Sequence, residues 1–267
     1  MPTLRRNNVK VLGESGPWLI YAHGFGCSQR MWDQVTPFFR STHRQVLFDY
    51  VGAGKSDLRA FDASRYSSLH GYAEDVLDVC DALELESGVT FIGHSVSSTV
   101  GLLAPIKRPK LFSRLVLLGP TPCFLNDGDY RGGFEREDLE ELLTLMDQNY
   151  LGWAHTLAPL VAGSMAPTVS RELSDAFCST DPETTRVFAT TTFLSDNRAD
   201  LPHVSVPSLI LQHRHDALAS MAVGEYLHSQ LRGSTLQVLD VSGHCAHMSH
   251  PKLVADAVQS YLAQPGT

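Results

Sequence analysis

The segment Gly93–Ser97 combines the residue types that a serine nucleophile requires. It reads G-H-S-V-S and follows the apolar run Val89–Ile92, and a helix can begin directly after Ser95. A serine on such a sharp strand-to-helix turn exposes its hydroxyl, and the helix N-terminus stabilises a developing anion. Because Ser97 stands where the usual motif ends in glycine, an ordinary glycine–serine turn is the competing interpretation.

Asp216 and His244 supply the two other groups with which a serine becomes a nucleophile. The predicted strand that begins with Ser208–Leu211 ends on Asp216, and the run Leu236–Val241 leads to His244. In the chain order serine, aspartate, histidine, the histidine acts as general base and the carboxylate orients its ring. We expect the three side chains at the carboxyl ends of parallel strands, and therefore on one edge of the sheet.

Two further histidines compete with His244 for the role of base. His247 and His250 follow it at three-residue steps, but only His244 comes directly after the glycine that ends the strand. We interpret the other two as supporting residues or as residues at the start of a helix. The three rings could also bind a cation, but Pro251 and the serine segment favour the first interpretation, so no metal and no cofactor are expected.

Other polar residues near these strand ends are given smaller roles. Asp240 competes with Asp216 as the orienting acid, but it lies within its predicted strand and too close in sequence to His244. His213 and His215 are predicted to be solvated residues at a strand end.

A glycine-rich turn follows the apolar run Trp18–Ala22 and reads H-G-F-G. Such a turn allows a backbone N–H to point at the site above the serine, where it can bind the oxyanion of a tetrahedral intermediate. We predict the N–H groups of Phe25 and Val96 as the two donors of this oxyanion hole. A tight turn without a ligand is the alternative.

Short apolar runs alternate with helical segments along most of the chain. Val46–Phe48 and Leu115–Leu118 complete the predicted strands, and apolar spacings of three and four predict helices over Tyr72–Leu85, Val96–Ile106 and Val254–Leu262. This alternation is typical of an α/β protein with a mostly parallel sheet.

The stretch from Tyr130 to Asp196 breaks this rhythm, because it holds four helix-like segments and no convincing strand; the first is Glu135–Tyr150. Ligands bind over the carboxyl edge of open α/β sheets. We predict a helical cap there, within a single domain of residues 1–267 whose core is 1–129 and 197–267 and whose cap is 130–196.

Composition excludes several classes of function. The net charge is −8 and no run of Lys or Arg forms a basic patch, so neither nucleic acid nor an anionic membrane is an expected partner. The five cysteines are scattered without metal-binding spacing, and neither an apolar leader after Met1 nor a run of about 18 apolar residues is found. We therefore expect a cytoplasmic protein with reduced thiols.

The segment Phe48–Asp57 resembles the F-D-x-x-G-x-G-x-S-D stretch of α/β-hydrolases. Over nearly its whole length the chain resembles the RsbQ family of bacterial stress-response regulators and the plant karrikin and strigolactone receptors, Ser97 matching the plant receptors. The resemblance implies an α/β-hydrolase fold with a mostly parallel, eight-stranded sheet flanked by helices and a V-shaped four-helix cap. The matching stretches also include Gly24–Cys27, Gly93–Ser97, Leu125–Phe134, Phe177–Pro182 and Gly243–Pro251.

The resemblance also implies that Ser95, Asp216 and His244 match the family's catalytic triad and that a deep apolar pocket lies above them. Ordinary core packing is the alternative for each apolar residue assigned to that pocket. By position, the residues that resemble its lining are Phe25, Val96, Phe124, Phe134, Leu142, Trp153, Leu157, Phe193 and Leu218.

Two functions use the same residues. The first is hydrolysis of a small, mainly apolar carboxylic ester or lactone through an acyl-enzyme, without a cofactor. The second is a ligand sensor that turns over slowly and signals through its cap to a regulatory protein partner. A cofactor-free peroxidase that uses the same triad is a third and weaker interpretation.

Overall fold

A mostly parallel sheet carries the predicted nucleophile at the end of its central strand. The structure, a computed structural model, describes residues 2–163 and 166–264. Among these residues the sheet has seven strands in the order β1-β3-β2-β4-β5-β6-β7. The strands are β1 Lys10–Leu12, β2 Trp18–Ala22, β3 Arg44–Leu47, β4 Val89–His94, β5 Phe112–Leu118, β6 Ser208–His215 and β7 Ser234–Ser242.

Strand β4 shows why this sheet forms from short apolar runs. All six of its residues are buried, and it pairs in parallel with β2 on one side and β5 on the other. A strand that is covered on both faces requires apolar side chains in both directions, which gives a continuous run and not an alternation. Only β1 runs antiparallel, along the outer edge of β3.

The expectation of eight strands is wrong for the described residues. The segment before β1 forms a short helix, α1 (Thr3–Arg6). Its backbone then pairs with the loop after β3, because Asp49 N–H donates to Asn7 C=O at 2.9 Å and Asp57 N–H donates to Arg6 C=O at 2.8 Å. This segment therefore stabilises a loop and adds no strand to the sheet.

Helices flank the sheet and a separate group of four interrupts it between β5 and β6. The flanking helices are α2 Leu69–Ala82, α3 Val96–Lys107, α8 Met221–Gln230, α9 Ala246–Ser249 and α10 Pro251–Leu262. The interrupting helices are α4 Arg136–Gln148, α5 Tyr150–Ala162, α6 Pro167–Cys178 and α7 Pro182–Phe193.

Local sequence signals define the starts of these four helices. Asn149 accepts a hydrogen bond from Gly152 N–H at 2.9 Å before α5, and Asp181 accepts one from Thr184 N–H at 3.0 Å before α7. Pro182 then occupies the first turn, where its missing N–H costs no hydrogen bond. In space α4 packs against α5 and α7, and α5 packs against α6.

Of the helices in the described part of the chain, none is both long enough and apolar enough to cross a membrane.

Candidate active site

Ser95 occupies a strained turn between β4 and α3. Its backbone has φ 57° and ψ −125°, a region that residues with a side chain rarely adopt, and α3 begins at the next residue. The turn requires glycine at position 93, because a Cβ atom there would lie 2.5 Å from the carbonyl oxygen of Ser97. Ser95 N–H donates to Leu118 C=O at 2.8 Å, which ties the turn to the end of β5.

Ser97, the residue that departs from the usual motif, bridges two segments. Its Oγ donates to the carbonyl oxygen of His23 and lies 2.9 Å from the hydroxyl of Tyr50. The side chain is fully buried, so both contacts are made away from solvent. The hydroxyl therefore connects α3 to the glycine-rich turn after β2.

The glycine-rich turn lies directly against Ser95. A Cβ atom on Gly24 would be 2.5 Å from His94 Nδ1 and 3.6 Å from Ser95 Cβ, so only glycine permits this approach. His23 holds the turn from behind, since its Nδ1–H donates to Gly24 C=O at 2.9 Å while Nε2 accepts from Tyr50 N–H at 3.2 Å. Burial lowers the pKa of His23, which favours the neutral ring that these two bonds require.

The two predicted oxyanion donors belong to residues near Ser95. Phe25 follows Gly24 in the turn, and it lines the same cavity as Ser95. Val96 is the first residue of α3, where a backbone N–H has no acceptor within the helix.

His244 and Asp216 form a short hydrogen bond at the ends of β7 and β6. His244 Nδ1 lies 2.7 Å from Asp216 Oδ2, and Asp216 Oδ1 accepts from the N–H of Leu218 at 2.9 Å and of Ala219 at 3.1 Å. Burial would raise the pKa of Asp216, but the nearby His244 and His213 outweigh it and hold the pKa well below its usual range. The charged carboxylate keeps the proton on Nδ1 and leaves Nε2 of His244, which has no partner among the described residues, able to accept one.

The backbone of His244 is fixed from two directions. Its N–H donates to the carbonyl oxygen of Val161 in α5 at 2.8 Å, and its carbonyl oxygen lies 2.9 Å from His94 Nε2. Burial, together with the neighbouring His247 and His244, lowers the pKa of His94 well below its usual value. His94 is therefore a neutral donor that holds the loop carrying His244.

The competing histidines occupy other environments. His247 is buried with its ring 4.5 Å from that of Trp32 and 4.4 Å from that of His94, and it does not line the cavity that holds Ser95 and His244. His250 is exposed at the start of α10.

The other polar residues near these strand ends lie in different surroundings. Asp240 is exposed and pairs with Arg214 at 2.7 Å. His215 is exposed, but His213, which was expected to be solvated, is fully buried, with Nδ1 3.3 Å from Asp216 Oδ2. The reason is that the His213 side chain points to Asp216 and His244, with its ring 6.4 Å from that of His244.

A metal at His244, His247 and His250 finds no support in the described part of the chain. The ligand atoms that do come together there, within 4.8 Å of one another, are those of His213, Asp216 and His244. The carboxylate and the His244 ring already share the hydrogen bond described above.

Ser95 and His244 face one narrow cavity between the sheet edge and helices α5 to α7. Its volume is about 30 Å³, which is room for about two or three water molecules. A larger ligand therefore requires the lining side chains to move. The lining residues are Phe25, Cys27, His94, Ser95, Phe124, Leu157, Val161, Leu173, Phe177, Thr192, Phe193, Leu218, His244 and Cys245.

The structure brings some of the predicted pocket residues to this cavity and places others behind them. Trp153 is buried with its ring 5.9 Å from that of Phe25, and the ring of Phe134 lies 6.1 Å from that of Phe124. Val96 and Leu142 also lie outside the lining. The predicted residues that do line the cavity are Phe25, Phe124, Leu157, Phe193 and Leu218.

Sequence reasoning missed several lining residues, and two kinds of signal point to some of them. His94 and Cys245 adjoin Ser95 and His244 in the chain, so adjacency identifies them. Leu173 and Phe177 lie four residues apart on the buried face of α6, a spacing typical of a helix face. No comparable pattern identifies Thr192.

Comparison with known proteins agrees with this fold. The model of the alpha/beta hydrolase family matches residues 19–257. Strigolactone esterase RMS3 of Pisum sativum is 38% identical over 98% of this chain and 99% of its own length. Karrikin insensitive 2 receptor CA of Petunia hybrida is 40% identical over 96% of this chain and 95% of its own length.

Among solved structures, the hydrolase olei00960 from Oleispira antarctica has a TM-score of 0.96 and 43% identity over 98% of this chain and 97% of that chain. The predicted resemblance to the plant receptors and the predicted fold class are thereby confirmed. The chain belongs to the alpha/beta hydrolase family.

Proposed function

We propose that this protein is a serine hydrolase that cleaves a small, mainly apolar carboxylic ester or lactone. The observation that carries the proposal is that Ser95 and His244 line one cavity and that the His244 ring is hydrogen-bonded to Asp216. In this mechanism Ser95 Oγ attacks the carbonyl carbon while His244 Nε2 takes its proton. His244 then protonates the leaving oxygen, and water attacks the acyl-enzyme by the reverse sequence of proton transfers.

The oxyanion is assigned to the N–H groups of Phe25 and Val96. The close approach of Gly24 to Ser95 supports the assignment of Phe25 N–H, because Phe25 follows Gly24 in the turn. The position of Val96 at the start of α3 supports the assignment of its N–H. Each such donor contributes about 3–4 kcal/mol to stabilisation of the transition state in enzymes of this kind.

The cavity lining supports an apolar substrate. No Lys, Arg, Asp or Glu is found among the described lining residues, and four phenylalanines contribute to the wall. A charged acid or phosphate would lose its hydration there without gaining an ion pair. The relative from Pisum sativum that is named an esterase supports the same class of reaction.

Replacement of Ser95 tests the proposal. We expect Ser95→Ala to lower kcat/KM for 4-nitrophenyl acetate by about 10⁴-fold or more, as removal of a triad member does. Ser229→Ala, at an exposed position at the end of α8, is the control for a general effect of replacing a serine by alanine. Equal activity of Ser95→Ala and wild type would exclude Ser95 as the nucleophile.

A ligand sensor is the second candidate, and one contact favours it. The hydrogen bond from His244 N–H to Val161 C=O joins the catalytic loop directly to α5, so occupation of the cavity can change the position of the helices. We assign residues 130–196 as the cap that would respond and a regulatory protein as its partner. The receptor name of the Petunia hybrida relative supports this alternative.

Hydrogen exchange distinguishes the two candidates. Wild type and Ser95→Ala are compared with the parent butenolide lactone and with its saturated analogue γ-butyrolactone. A sensor requires protection of residues 130–196 in both proteins and turnover well below about 1 s⁻¹. Fast turnover without lasting protection would leave a hydrolase alone.

A further inference from the structure

Thr192 carries a hydroxyl group that finds no hydrogen-bond partner among the described residues. The residue lies near the end of α7, is 2% exposed, and lines the cavity that holds Ser95 and His244. Apart from Ser95, it is the only residue with a hydroxyl group among the described lining residues.

Other threonines of these helices show how unusual this hydroxyl is. Thr144, Thr156 and Thr185 donate to the carbonyl oxygen four residues earlier, at 2.7, 2.9 and 2.6 Å. That bond is the ordinary solution for a threonine within a helix. The neighbouring Thr191 is satisfied differently, since its Oγ1 donates to Tyr66 C=O at 3.0 Å. Thr192 makes neither kind of bond.

A buried hydroxyl without a partner destabilises a protein, so such a group in a cavity is suited to a polar atom of the ligand. An apolar ester or lactone offers only oxygen acceptors to it. The scissile carbonyl is assigned to Ser95 and the oxyanion donors, so Thr192 is available for a different oxygen.

We propose that Thr192 is a specificity-determining residue whose Oγ1–H donates to a second oxygen of the substrate, remote from the scissile carbonyl. The preferred substrate is then an ester or lactone whose apolar body carries an ether or second carbonyl oxygen. This inference rests on the proposed hydrolase function and narrows its substrate class.

Three esters of equal length test the proposal: 4-nitrophenyl pentanoate, 3-methoxypropanoate and ethoxyacetate. The two ethers replace one CH₂ of pentanoate by oxygen at different positions. Thr192→Val keeps the shape of the side chain and removes the hydroxyl. Differences in intrinsic reactivity cancel when each ester is compared between variant and wild type.

We expect Thr192→Val to lower kcat/KM for at least one ether about three- to tenfold more than for pentanoate, chiefly through KM. Thr192→Ser, which restores the hydroxyl, should recover the preference. An unchanged ratio of ether to pentanoate in Thr192→Val, for both ethers, would overturn the proposal.

Thermal unfolding separates recognition from a structural role. Thr192→Val should keep or raise Tm, because no internal hydrogen bond is lost, whereas the matched control Thr191→Val should lower Tm and leave the ether preference unchanged. A fall in Tm for Thr192→Val as large as for Thr191→Val would also overturn the proposal.

The hydrolase proposal fails separately, if no ester shows hydrolysis that depends on Ser95. The assignment of Thr192 is then decided by binding, measured as the shift in Tm that each ester produces in Ser95→Ala with and without Thr192→Val. The assignment is supported if an ether shifts Tm more than pentanoate does and Thr192→Val abolishes that difference. Equal shifts of Tm by the ethers and by pentanoate overturn it.

Discussion

Individual residues of one buried cluster have separate roles. The rings of His94 and His244 lie 4.8 Å apart, and that of His247 lies 4.4 Å from His94. His94 and His244 both line the cavity, but of these three rings only that of His244 contacts the Asp216 carboxylate, while His94 donates to the backbone of His244. Sequence position favoured His244 over His247 as the base, and the surroundings of each ring give that prediction a physical basis.

His244 is therefore expected to be the base, and a comparison of two alanine variants tests this. His244→Ala should lower kcat for 4-nitrophenyl acetate about 10⁴-fold, as loss of a triad base does. His247→Ala removes packing against Trp32 and should act mainly on Tm. A greater loss of kcat in folded His247→Ala than in His244→Ala would show that the wrong histidine was chosen.

Ser97 is expected to position the oxyanion turn. Ser97→Ala removes the bond to His23 C=O, so the turn that carries Phe25 is held less firmly. We expect kcat to fall about three- to tenfold with little change in KM, because the turn acts on the transition state. Ser98→Ala is the matched control, since its Oγ donates to Gly93 C=O at 2.9 Å on the same helix. An equal effect of both variants on kcat would indicate a general loss of helix packing.

Site residues that adjoin a sequence motif can be predicted from the sequence, whereas those that only tertiary packing brings to the cavity cannot. Ser95, Asp216 and His244 follow the ends of predicted strands. Parallel strands have their carboxyl ends on one edge of the sheet, so the three residues are expected there whatever the conformation of the connecting loops. His213 has polar neighbours that are typical of a solvated strand end, but its side chain packs beside Asp216 and His244 and is buried. Whether the Thr192 side chain faces the cavity depends on how α7 is rotated against the sheet, and sequence periodicity alone does not determine that rotation.

At the level of elements, long apolar patterns were easier to predict than their ends. β6 extends to His215, one residue before the predicted end at Asp216, because hydrogen bonds to β7 continue through the polar residues that follow the apolar run Ser208–Leu211. β1 has three residues, none of them buried, so no apolar run announces it. Its place depends on pairing with β3, a contact between distant parts of the chain.

The contact between α5 and the loop after β7 is the element-level feature most important for the site. Gly243 has φ 96°, and a Cβ atom there would lie 2.1 Å from the carbonyl oxygen of Ala162. Gly163, just after α5, also lies close to this loop, because a Cβ atom added to it would lie 2.8 Å from Gly243 Cα. Only glycine permits the approach that allows His244 N–H to reach Val161.

Gly243→Ala should consequently displace the loop that carries His244 from α5. We expect a lower Tm and a fall of at least about tenfold in kcat for 4-nitrophenyl acetate, since misplacement of a catalytic group by about 1 Å can cost about 100-fold. Gly233→Ala is the control, because its φ is also positive, at 72°, but an added Cβ meets nothing within 4 Å. Equal losses of kcat in the two variants would mean that backbone strain, and not the contact with α5, explains the effect.

For the molecule as a whole, the buried histidines make stability depend on pH. Burial lowers the pKa of His23, His94 and His247. The unfolded chain therefore binds more protons than the folded protein below about pH 6.5, the ordinary histidine pKa, and stability falls as the pH falls. Asp216 contributes in a different range: its lowered pKa stabilises the fold above about pH 4, and this contribution is lost only at more acid pH.

Urea unfolding between pH 7.5 and 5 tests this linkage. A histidine that stays neutral in the folded protein contributes up to about 1.4 kcal/mol of lost stability per pH unit below its unfolded pKa. His247→Phe, which keeps a ring beside Trp32, should therefore flatten the dependence of the unfolding free energy on pH by about 1 kcal/mol per unit between pH 6 and 5. His250→Phe, at an exposed site, is the control and should keep the wild-type slope. A His247→Phe slope equal to that of wild type would show that His247 takes up its proton in the folded protein as readily as in the unfolded chain.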